Sequence, residues 1–317
     1  MPPPKHQGET TVVPDVEFES YYGKPILKEP TWKTPDVPLY LFLGGLAGAS
    51  SLLAEGAALT GKPDLERVAR LAAATGAAAG TVALVHDLGR PERFLNMLRV
   101  LKPTSPLSVG SFILAPFSAL SGAAAASQVT GLLPRIGRLA GVGAAAFGPP
   151  LATYTAALLA NTAVPAWHEA HRELPFVFGG SGAQAAGGLA MLLVPRDQAG
   201  PARRMALTGA AVEIAAAESI LLRRGLAAEP YKIGTPGRLM TIARNCTAVA
   251  SAATLLAGKR SRLVSALAGA TYVAASVTTR FGIFEAGRAS ARDPKYVVVP
   301  QRERLQARQG AFPAGPA

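Results

Sequence analysis

The chain has 317 residues, of which 49% are hydrophobic, only 16% are charged and 6% are aromatic, against about 25% charged residues in soluble domains. Its formal net charge is +12, but Lys and Arg punctuate apolar runs instead of clustering with aromatic side chains, which argues against nucleic-acid binding. The single cysteine, Cys246, excludes a disulfide framework and any iron–sulfur cluster held by this chain alone, since such clusters need about four thiolates.

Residues 1–36 form a polar, Pro-rich segment without the charged and then apolar pattern of a cleavable signal peptide. Eight apolar windows follow over residues 37–284. Val37 to Leu59 contains one charge, Glu55. Leu71 to Val85 is short, and Arg67 and Arg70 at its start are expected to snorkel outward. Ser108 to Val129, Leu139 to Thr162 and Leu174 to Val194 are uncharged. Met205 to Leu222 holds Glu213 and Glu218, Leu239 to Gly258 holds Arg244, and Leu263 to Phe284 holds Arg280. Residues 285–317 read as a basic, disordered tail.

Lipid offers no water to backbone groups, so each window is predicted to be a helix. The fold class is therefore all-α integral membrane, with eight transmembrane helices in a multi-pass cell-membrane protein. Gly44/Gly48 and Gly76/Gly80 have the spacing that lets helix backbones approach closely. With eight spans both termini share one face, side A, which also carries the second, fourth and sixth connections. The total of Lys and Arg is larger on side A but denser in the short side B loops, which leaves orientation open.

Most polar functional groups fall in two side A stretches predicted to be non-helical. The first runs from His86-Asp87-Leu88-Gly89-Arg90-Pro91 to Lys102-Pro103-Thr104-Ser105-Pro106, and the second from Asn161 through Pro165-Ala166-Trp167-His168-Glu169 to His171. Read blandly, the first is an ordered loop in which Asp87 pairs with Arg90 or Arg93. Read functionally, it is a docking surface and the rim of a ligand pocket. Of the four histidines, His6 lies in the N-terminal segment and His86, His168 and His171 at one level, so two haems at two depths are excluded. One haem between His86 and His168 is the weaker alternative to interfacial structural histidines.

Taken in order, Tyr22-Gly23-Lys24-Pro25, Leu43-Gly44-Gly45-Leu46-Ala47-Gly48, His86-Asp87-Leu88-Gly89-Arg90-Pro91, Lys102-Pro103-Thr104-Ser105-Pro106-Leu107-Ser108-Val109-Gly110-Ser111, and Tyr154-Thr155-Ala156 followed by Pro165-Ala166-Trp167 resemble the NrfD-type membrane subunit of polysulfide reductase. The resemblance is densest from residue 21 to 168. It implies an anchor of two four-helix bundles, here roughly 37–162 and 172–284, that exchanges electrons with menaquinone or ubiquinone. It also implies a ferredoxin-like iron–sulfur partner and a molybdopterin catalytic subunit, so the chain is not expected to be a stand-alone enzyme. The family's quinone pocket uses polar residues at the start of the first span and a tyrosine in the fourth, which match Tyr40 and Tyr154 by position. Some relatives have His at the first of these, so Tyr40 either donates to a quinone oxygen or only packs there.

Tyr40 lies about 3 residues below side A and Tyr154 about 8, or roughly 12 Å for the deeper one. A quinone headgroup needs donors to its two carbonyl oxygens and a proton source, which phenol and imidazole supply. The expected quinone-binding set is therefore Tyr40, His86, Asp87, Arg90, Tyr154 and His168. No metal ligand set, haem or iron–sulfur cluster is expected in this chain. Charges within the hydrocarbon are costly unless paired, which singles out Glu55, Glu213, Glu218, Arg244 and Arg280 for proton transfer or an ion cluster. Glu218 is expected to compensate one arginine. Five residues of helix turn Glu213 about 140° away from Glu218, which argues against one two-carboxylate face. Glu55 either begins a proton path or reaches the side B headgroups.

Two other readings stand beside the quinone-reactive anchor. One is an ion-translocating or transporter-like module using Glu55, Glu213 and Glu218, for which Pro149-Pro150 would break the fourth span. The other is a structural anchor without quinone chemistry.

Overall fold

The structure is a computed structural model that describes residues 26–90, 92–222 and 225–311. His6 and the Tyr22-Gly23-Lys24-Pro25 string lie outside the described residues, as does Pro91. The described residues form helices α1 (Asp36–Leu59), α2 (Pro63–Asp87), α3 (Glu92–Met97), α4 (Pro106–Thr130), α5 (Pro134–Ala160), α6 (Pro165–Glu169), α7 (Leu174–Leu193), α8 (Gly200–Leu222), α9 (Gly234–Ala257), α10 (Arg262–Arg292) and α11 (Lys295–Ala311), with a 3₁₀ turn at Leu226–Tyr231 between α8 and α9. The two side A stretches are thus partly helical, because α3 and α6 form within them.

Local chemistry sets the ends of these helices. Proline opens α2, α4, α5 and α6, where its missing N–H has no intrahelical partner to lose. The Ser261 hydroxyl accepts from the Val264 N–H to cap α10. Gly131, at φ 72°, closes α4 by donating its N–H to the Ser127 carbonyl.

Among the described residues, seven helices are long and apolar enough to cross a membrane: α1, α2, α4, α5, α7, α8 and α9. The eighth predicted window, Leu263 to Phe284, lies inside α10. That helix has 31 residues and a length of about 46 Å, but the polar run Thr278-Thr279-Arg280 makes it less apolar than the seven. Order does not stop at residue 284 either: α10 continues to Arg292 and α11 follows. The reason is that Glu285 and Arg288 pair one helical turn apart while Ser290 and Ala291 are buried, so charge and packing both sustain the helix.

α1 lies at the centre and packs on α2 and α5 on one side and on α7 and α10 on the other. Its close approach to α5 depends on Gly48, where an added Cβ would stand 2.3 Å from the Gly148 carbonyl oxygen. A second close approach puts Gly182 of α7 against Gly45, with a Cβ on Gly182 falling 2.7 Å from the Gly45 carbonyl oxygen. Of the predicted close-packing spacings, Gly48 makes backbone contact, whereas Gly44 has nothing nearer than 3.9 Å.

α5 runs unbroken through Pro149 and Pro150, contrary to the predicted interruption. Its N-terminal half is anchored on α1, where the Ser51 hydroxyl contacts both the Gly48 and Ala144 carbonyls, so packing holds the helical path past the two prolines.

Candidate functional site

The side A ends of α1 and α2 meet through charge. The Asp36 carboxylate and His86 Nδ1 are 2.7 Å apart, with the carboxylate largely buried and the imidazole 72% exposed. Asp36 stands in the first turn of α1 and His86 in the last turn of α2, positions that suit their charges. Asp87 is not held by Arg90, which is exposed; its Oδ1 accepts the Lys33 backbone N–H at 2.9 Å, because the segment before α1 passes over the end of α2.

That segment is a strap across side A. Trp32 stacks on Trp167, which in turn packs on Phe284. Trp167 is fully buried and donates its Nε1–H to the Ile283 carbonyl at 2.8 Å. Gly287 leaves the room for it, since a Cβ there would lie 1.9 Å from the indole ring. The Tyr231 hydroxyl donates to the Ala166 carbonyl beside it, and burial pushes that phenol up from its ordinary value. Farther along, Glu29 accepts from Arg288 and Arg292, and the guanidinium groups, Arg292 foremost, hold its carboxyl below the usual range.

Asp36, Trp32 and Glu29 were not singled out by sequence reasoning. The available signals were weak: an acidic residue at a helix start, and two tryptophans in the whole chain.

The two tyrosines share one apolar cluster. Tyr40 is buried in it, with its ring beside Gly80 of α2. Tyr154 is half-buried at its edge, and its ring covers Gly110 of α4, where a Cβ would lie 2.1 Å away. The Tyr154 hydroxyl has no hydrogen-bond partner among the described residues. His168 is exposed near the end of α5, with Nδ1 3.1 Å from the Ala160 carbonyl oxygen, and His171 Nδ1 contacts the His168 carbonyl. The structure therefore brings Tyr40 and Tyr154 into one apolar cluster and leaves His86, Arg90 and His168 on the exposed side A surface.

The intramembrane charges separate into three groups. Arg70 does not snorkel: it is buried, and its guanidinium lies 3.2 Å from Glu55 and 2.9 Å from Glu66 and donates to the Gln128 side chain. Inward rotation of Arg70 gives both carboxylates a partner, which outweighs exposure at the headgroups. Glu55 accordingly faces Arg70 and Gly141.

Glu218 pairs with Arg244 at 3.1 Å, both partly exposed. Arg280 stands apart from them. It is fully buried, donates to the Phe178 carbonyl at 2.7 Å, lies 3.8 Å above the Phe178 ring and is electrostatically coupled to Glu213. Glu213 is itself bound by Thr279 at 2.6 Å and by the Gln184 amide.

Glu213 and Glu218 nevertheless border the same space. A cavity of about 350 Å³ between α8 and α9 is lined by both carboxylates together with Tyr231, Arg244, Thr247 and Thr279. α8 packs mainly on α7 and α9 mainly on α10, so the gap between them is wide enough to take in side chains 140° apart. The Thr247 hydroxyl is buried there without a partner.

A family model described as polysulphide reductase, NrfD, matches residues 28–233, well over half of the chain, and the chain belongs to that family. No curated protein matches it. The match takes in α1 to α8 and the 3₁₀ turn; α9 to α11, with Arg244 and Arg280, follow it.

Proposed function

We propose that this NrfD-family chain is the quinone- or quinol-reactive membrane anchor of a multi-subunit oxidoreductase, exchanging electrons with an iron–sulfur partner docked on side A. A molybdopterin subunit carries the substrate chemistry in this reading. The observation that carries it is the family match over residues 28–233, which contains the Asp36–His86 pair, Tyr154 and the Trp167-His168 turn in one continuous run. α10 serves as the eighth span, and the chain reads as two bundles, α1, α2, α4 and α5 against α7 to α10, with α1 as the joint between them.

A quinone takes up electrons and protons at its two oxygens. The Tyr154 hydroxyl, free of other partners at the edge of an apolar cluster, is a donor suited to one oxygen. Tyr40, packed deeper beside Gly80, shapes the wall of the same region. His86 keeps Nε2 on the exposed face while Asp36 holds Nδ1, so its imidazole is placed to exchange protons with water. Asp87, Arg90 and His168 form the rim that meets the partner. Glu213 and Glu218, bordering one cavity, handle protons in the second bundle, with Arg280 and Arg244 balancing their charge. The transporter-like reading loses its broken-helix support, because α5 is continuous.

Quinone-linked turnover of the assembled complex tests the proposal. Tyr154→Phe and His86→Ala are each expected to lower turnover about a hundredfold, the lower end for loss of a hydrogen-bond donor or proton-transfer group, while assembly is retained. Full turnover in both variants sinks the pocket assignment, and failure of quinone analogues to bind the complex would favour a purely structural anchor.

A further inference from the structure

On side B, the turn between α4 and α5 frames a crevice of about 740 Å³. Arg70 and Gln128 form its inner wall with Glu66, and Arg135, Arg138 and Leu139 of α5 form its outer wall. The acidic member is already engaged, since Glu66 lies 2.9 Å from Arg70, which also holds Glu55. Gln128 accepts from Arg70 through its oxygen, which leaves its amide nitrogen as a further donor.

Side B arginines fall into two groups, those tied to partners and those left exposed, and Arg135 and Arg138 belong to the second and lie side by side on the crevice. Arg196, Arg203 and Arg262 donate to backbone carbonyls, whereas Arg135 and Arg138 are exposed and have no partner among the described residues. Three residues apart, they sit on one side of the first turns of α5. Leu132, Leu133, Ile136 and Leu139 beside them are exposed as well. Two unneutralised guanidinium groups bordering exposed leucines at the end of membrane helices fit a ligand that is anionic at one end and apolar at the other. Guanidinium forks bind phosphate oxygens in pairs, and basic crevices between membrane helices suit anionic headgroups.

We propose that this crevice holds the phosphate headgroup of an anionic phospholipid, bound by Arg135 and Arg138, with its acyl chains against Leu132 and Leu139. The site is separate from the side A apparatus and does not depend on the quinone reading.

The test is native mass spectrometry of the purified full-length chain, offered phosphatidylglycerol and phosphatidylcholine together. The wild type is expected to retain phosphatidylglycerol preferentially, and the Arg135→Gln/Arg138→Gln double variant to lose that preference by about thirty-fold, from about 1 kcal/mol for each arginine near a charged surface. Arg135→Lys/Arg138→Lys keeps part of the preference, since the charge stays while the paired fork is lost, and Arg238→Gln on side A leaves it unchanged. Both arginines are exposed and unpartnered, so the double variant keeps the wild-type thermal midpoint. Equal retention of the two lipids by the wild type overturns the proposal, as does undiminished preference in the double glutamine variant. Displacement of the lipid by millimolar inorganic phosphate overturns it too, because the crevice would then be a simple anion site.

Discussion

Trp32 stacks on Trp167 with ring centroids 5.7 Å apart and 26° between their planes. The contact fastens the segment before α1 to the turn between α5 and α7, and Trp167 in turn packs on Phe284 of α10. Glu29, bound to Arg288 and Arg292, ties the same strap to α10 on the other side. The strap therefore links the two halves of the chain over the surface assigned to the partner.

Acid should loosen it. The Glu29 carboxyl is held below its ordinary value near 4.5, so its stabilising contribution is fully present above that pH and is lost as pH falls through the lowered value. Tryptophan fluorescence of the wild type is expected to change on acidification below about pH 4.5, where the ordinary carboxyl protonates. Glu29→Gln should show the loosened signal already at neutral pH and a flatter acid response.

The Asp36–His86 contact should matter more to turnover than to stability. With the imidazole mostly exposed, Asp36→Asn is expected to change the unfolding free energy by less than about 1 kcal/mol. Quinone-linked turnover should fall in the same variant, because the imidazole loses the carboxylate that orients it. Thermal unfolding in detergent and turnover measured on one preparation separate the two effects.

Close backbone packing predicts a sharp contrast within α1. Gly48→Ala puts a methyl group 2.3 Å from the Gly148 carbonyl oxygen and should destabilise by about 1–3 kcal/mol or more through overpacking. Gly44→Ala meets nothing nearer than 3.9 Å and should be neutral within about 0.5 kcal/mol. Thermal midpoints of the two variants check this.

The two carboxylates of α8 should respond differently to removal. Glu213→Leu leaves the buried Thr279 hydroxyl and Gln184 amide without their acceptor and removes the negative charge felt by the fully buried Arg280, and is expected to cost about 1–3 kcal/mol for each donor left unpaired, read as loss of folded yield. Glu218→Gln breaks a pair that is partly exposed, so its cost should stay under about 1 kcal/mol. If Glu213→Leu is as stable as wild type, the Glu213 carboxylate does not hold Thr279 and Gln184 in place.

The sequence by itself determined the membrane location, the places of the long helices along the chain, and the family. Each of these depends on neighbours along the chain: apolar run length, proline at helix starts, and short motifs in order. Each of the eight apolar windows coincides with one long helix, three of them running one or two residues past its end. Only the tertiary structure decided which charges meet. Whether Arg70 turns outward or lies between Glu55 and Glu66, and whether Arg280 is coupled to Glu218 or to Glu213, depends on how each helix is rotated against its neighbours. Ala- and Gly-rich helices with little amphipathic contrast carry almost no record of that rotation, because small residues on every face let several packings look alike in sequence. The same ambiguity concealed the strap, whose anchors Glu29 and Trp32 are 259 and 135 residues from Arg288 and Trp167. It likewise concealed the unbroken path of α5 through Pro149-Pro150, which packing on α1 rather than local propensity maintains.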